Sequence, residues 1–149
     1  MDNKWKEKFE VFDSAIAELN KKAEALKGDA QAARELQKEV IEDKIGTLKG
    51  NVEATKENIR LRDEKNKGKL SSSLLKTQMT IEAKIEELRD KKDKKMLERY
   101  IEQRVDYVDD CFLTAVYMIE EAQLALLEAV VAASEYTERF GEGDTEAKE

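Results

Sequence analysis

A chain of 149 residues has the size of one ordinary domain, yet 41% of it is Asp, Glu, Lys or Arg, where about a quarter is usual. Hydrophobic residues make up 40%, too many for a plainly disordered chain. The net charge is −7 with no histidine, which removes the commonest general base and metal ligand.

Proline is absent and glycine numbers six. Proline breaks helix interiors and glycine weakens them, so the expected fold class is all-α with very long helices. The opening residues, Met1 to Lys6, carry no apolar signal-peptide core. No run of 18 uncharged apolar residues occurs, so no spanning helix is expected. A cytoplasmic address follows as the default.

The first predicted helix covers residues 3–65. Trp5, Phe9, Phe12, Ile16, Leu19, Ala23, Leu26, Ala30 and Ala33 recur at steps of four and three, the beat of a coiled-coil seam. Gly28 followed by Asp29 offers an alternative break that would give three helices. The beat passes through Leu26, Ala30 and Ala33 unbroken, so the helix is expected to continue. Around an out-of-phase stretch at 34–44 the stripe resumes, one residue out of phase, at Ile41, Ile45, Leu48, Val52 and Ile59. Gly46 and Gly50 lie four apart on one face and are read as tolerated.

Residues 66–71 are the predicted turn. Gly68 can end one helix and Ser71, Ser72 and Ser73 can cap the next. The second predicted helix covers 72–140. Its stripe runs through Leu74, Ile81, Ile85 and Leu88, slips over 92–100, and returns as Ile101, Val105, Val108, Phe112, Ile119 and Leu126. A bend at residue 68 would place Trp5 opposite Val131 and Phe12 opposite Leu124, with the two slips facing each other. The expectation is one elongated domain over 1–140, a long antiparallel coiled-coil hairpin with arms roughly 90–105 Å long at 1.5 Å per residue. An acidic tail follows at 141–149.

The last third of the second helix is too apolar for a two-helix seam. Leu113, Val116, Tyr117, Leu124, Leu127 and Val131 lie beside the main stripe and form a candidate self-association surface. The simplest product is a homodimer with a four-helix bundle at the open end. Charge is also uneven: residues 41–100 hold 16 basic and 12 acidic groups, residues 101–149 hold 3 and 13. Arg60, Arg62, Lys65, Lys67 and Lys69 crowd the turn, a candidate tip for an anionic partner. With no aromatic among them, nucleic acid is not the expected partner.

No catalytic, cofactor-binding or metal-ligating residue stands out. Asp106, Asp109, Asp110 and Glu102 form the densest carboxylate group, but they flank apolar positions and read as a solvated face. The single cysteine, Cys111, reads as a small apolar residue. The expected role is therefore a non-enzymatic interaction or scaffold protein, acting through self-association and docking of an unknown protein partner. A reversible amphipathic lipid-surface binder is the alternative. It is disfavoured because the most apolar segment is flanked by Asp and Glu instead of Lys and Arg.

Overall fold

The computed structural model describes residues 3–90 and 93–141. Every element among them is helical: α1 (Asn3–Glu10), α2 (Phe12–Ala32), a 3-10 turn (Ala33–Glu35), α3 (Lys38–Glu64), α4 (Lys69–Asp90) and α5 (Lys94–Phe140). No described helix is long and apolar enough to cross a membrane. The acidic tail expected at 141–149 lies outside the described residues, apart from Gly141.

The chain divides into two compact units, residues 1–34 with 113–149, and residues 35–112. In the first unit Val11 keeps helical angles (φ −62°, ψ −21°), so α1 runs into α2 through a single residue. The α1 end is fastened to α5 by aromatic contacts. Trp5 meets Tyr136 edge to face, ring centroids 5.7 Å apart, and Tyr136 tilts against Phe140 at 5.0 Å. The expected opposition of Trp5 to Val131 is thereby corrected: the indole sits five residues further along. Gly28 lies inside α2, so the alternative break there does not occur.

In the second unit α3 and α4 fold back on each other through the turn at Lys65–Gly68. Asn66 and Gly68 both take positive φ (60° and 70°), the left-handed conformation that Asn and Gly reach at least cost. Ser72 N–H donates to the Gly68 carbonyl at 3.0 Å, which opens α4. Asp63 accepts from Lys69 Nζ at 2.9 Å and from Ser72 Oγ at 3.2 Å. Its charge lies beside the first turn of α4, where exposed N–H groups favour an anion.

Two of the expected helix spans are wrong. Residues 3–65 are interrupted by the 3-10 turn and by Gln37, which is extended (φ −70°, ψ 150°). Residues 72–140 are interrupted before Lys94, where Asp93 caps α5: its Oδ1 accepts from Lys95 N–H and its carbonyl from Leu97 N–H, both at 2.8 Å. Past this point α5 returns along α4, because Arg104 reaches Glu82 and Glu86. In one continuous helix Arg104 and Glu82 would stand roughly 33 Å apart. Each slip of the apolar beat thus marks a helix end within the chain, not a phase adjustment within a continuous rod.

The interior is thin. Among the described residues only Ile85 and Ala133, each 5% exposed, count as buried apolar side chains.

Candidate association surface

The face that α5 turns to α4 is polar and aromatic. Tyr100, Gln103, Arg104 and Tyr107 are the half-buried residues there, at the three-and-four spacing of one helix face. Arg104 donates to both carboxylate oxygens of Glu82, Nη1 to Oε2 at 2.7 Å and Nη2 to Oε1 at 2.6 Å. It also donates to Glu86 and, through Nε, to the Tyr100 hydroxyl at 3.1 Å. Its guanidinium lies 5.3 Å from the Tyr100 ring and 5.9 Å from the Tyr107 ring, within cation–π range. The Arg104 hydrogen bond holds the Glu82 carboxyl below its ordinary value, and the Glu82 hydrogen bond raises Arg104 further above its own. Burial pushes up the Tyr107 hydroxyl and the Cys111 thiol.

The aliphatic stripe expected to form the α5 core is rotated about a quarter turn away from this contact. Ile101, Val105, Val108 and Phe112 are 44–56% exposed, which corrects their assignment as core. At 100° per residue they cannot share a face with Tyr100, Arg104 and Tyr107, and the charged clasp takes the α4 contact. Arg104 and its two glutamates were missed in the sequence. The available signal was Glu82 and Glu86 one turn apart on α4, a doubled negative site in need of a cation.

In the first unit α5 turns Leu126, Val130, Ala133 and Tyr136 inward, half-buried or buried. Leu113, Val116, Tyr117, Leu124, Leu127 and Val131 lie outside that contact, each between 52% and 70% exposed. Leu127 and Val131, with Ala132, floor a shallow open notch edged by Glu128 and Glu135. Four of these residues, Glu128, Val131, Ala132 and Glu135, are spaced i, i+3, i+4, i+7, the outline of the hole that receives a side chain from a facing helix in coiled-coil packing.

The basic residues around the α3–α4 turn are brought near one another, but part of their charge is engaged within the chain. Arg60 pairs with Glu57 at 2.7 Å and Lys69 with Asp63 at 2.9 Å, while Arg62 packs beside Gly68. Lys65 and Lys67 are exposed.

Between α4 and α5 an open groove of about 470 Å³ has Ile81 and Ile85 as its floor and Lys84, Asp106 and Asp110 on its rims. Asp109 is exposed, as are Asp106 and Asp110. No three His, Cys, Asp or Glu side chains among the described residues are grouped to hold a metal ion. The groove is shallow and apolar-floored. No protein-family model, curated protein or solved structure matches the chain.

Proposed function

We propose that this chain is a non-enzymatic interaction or scaffold protein that works by self-association, with its helices completing coiled-coil packing between copies. The observation that carries this reading is the outward face of α5: six large apolar side chains, Leu113 to Val131, all more than half exposed. A monomer seldom leaves so continuous an apolar face in water.

In the simplest product two copies of the α1–α2 and α5 pairing join as a four-helix bundle. Partner docking at Lys65, Lys67 and the neighbouring cations of the α3–α4 turn belongs to the same proposal.

Light scattering tests it directly. The unaltered protein should run at a multiple of 17.1 kDa, and Leu124→Glu with Leu127→Glu should reduce it to the monomer mass, with a lower thermal midpoint by circular dichroism. A monomeric starting protein, or an unchanged mass in the variant, would rule this reading out. Flotation with anionic liposomes separates it from the lipid-binding alternative, which requires the apolar face to lie on membrane.

A further inference from the structure

We propose that the outward face of α5 pairs with the same face of a second copy in antiparallel orientation, centred near residue 122. This rests on the self-association reading and adds orientation and register to it. Leu113, Tyr117, Glu120, Leu124, Leu127 and Val131 follow one another at steps of four and three, so they form a single seam. One seam position is a charge. Glu120 is exposed and sits among five apolar seam residues.

That glutamate decides the orientation. A parallel, in-register pair would set Glu120 directly against Glu120 at the centre of the interface, where like charges repel with the least water to screen them. Reversing one helix about residue 122 removes the clash. Leu113 then meets Val131, Tyr117 meets Leu127, and each Glu120 meets a Leu124. Leu113, Tyr117, Leu127 and Val131 each gain an apolar neighbour, Leu124 meets the aliphatic stem of Glu120, and the face matches itself as a two-fold interface requires.

The edges of the seam agree. Antiparallel pairing brings Val116 beside Val130 and Gln123 beside Gln123, so valines and amides each meet their own kind. Parallel pairing would place Val116 beside Glu121 and Val130 beside Glu135. The opposite edge brings the two Glu121 side chains together, but Glu121 is exposed and solvent screens the pair. A second copy is the occupant to which this face is complementary, and the chain has apolar surface to spare for it.

Cysteine cross-linking of the full chain tests orientation separately from association. In a Cys111→Ser background, residues 113 and 131 are roughly 27 Å apart along the helix, too far for a disulfide within one chain or between like positions of antiparallel partners. Under mild oxidation the double variant Leu113→Cys with Val131→Cys should become almost wholly covalent dimer. Leu113→Cys and Val131→Cys alone should give only traces. Efficient cross-linking of Leu113→Cys alone means a parallel pair and overturns the proposal. A dimer by light scattering whose double variant fails to cross-link overturns the register, and a monomeric parent overturns the association reading beneath both.

Discussion

Arg104 on α5 grips Glu82 on α4 with two parallel hydrogen bonds of 2.6 and 2.7 Å. This fork is the best-formed polar contact between the two helices. Its planar geometry is one that arginine offers and lysine does not. Arg104→Lys should therefore destabilise nearly as much as Arg104→Ala, by about 1–2 kcal/mol after allowance for partial solvent exposure. Urea unfolding followed by circular dichroism measures this, and a double-mutant cycle with Glu82→Gln should return a coupling of about 1 kcal/mol.

The same contacts set the acid response. Glu82 is held below its ordinary value by the Arg104 hydrogen bond, and Asp63 by hydrogen bonds from Lys69 and Ser72. A carboxyl depressed in the folded state contributes stability above its unfolded pKa, about 4, and loses it as pH falls through the lower folded value. Unfolding midpoints should thus be level from neutral pH down to about pH 5 and then drop through the acid range. The Glu82→Gln variant should show a shallower drop. A midpoint that rises on acidification would contradict this.

Two glycines should respond in opposite directions. Gly68 has φ of +70°, and a Cβ there would stand 3.3 Å from that of Arg62, so Gly68→Ala should cost about 1–2 kcal/mol. Gly28 lies within α2 with nothing within 4 Å of an added Cβ. Gly28→Ala should stabilise by about 0.5–1 kcal/mol. Thermal melts of the two variants at matched concentration decide it.

Trp5 is the one tryptophan in the chain, and its ring rests on Tyr136. The indole N–H is shielded without a hydrogen-bond partner, so Trp5→Phe loses no bond and should change stability by less than about 1 kcal/mol. Trp5→Ala removes the aromatic pair and should cost about 2–3 kcal/mol. In the unaltered protein, tryptophan emission during unfolding should report release of α1 from α5. A Trp5→Phe variant as damaged as Trp5→Ala would show that the indole nitrogen matters after all.

The helical nature of the chain was legible because proline is absent and the Leu, Ile and Ala beat is regular. The helix ends at Gln37 and Asp93 were not, because neither is flanked by glycine or proline and each looked like a slip of phase within one helix. Asp93 did carry a readable mark, a carboxylate standing just before a helical run. Gln37 carried none, and its side chain makes no cap hydrogen bond. The seam of α5 misled for a different reason. Periodicity finds apolar faces but does not say which neighbour takes them, and in the α4–α5 pairing the ion pair of Arg104 outcompeted Ile101 and Val105 for the intrachain contact.

The sparse interior around Ile85 and Ala133 carries a consequence for how such a protein lives at different abundances. On the self-association reading the apolar outer face of α5 leaves water only when copies meet, so part of each copy's stability is gained with assembly. Diluting the sample then acts as adding denaturant would, and the number of copies present sets how well each one is folded.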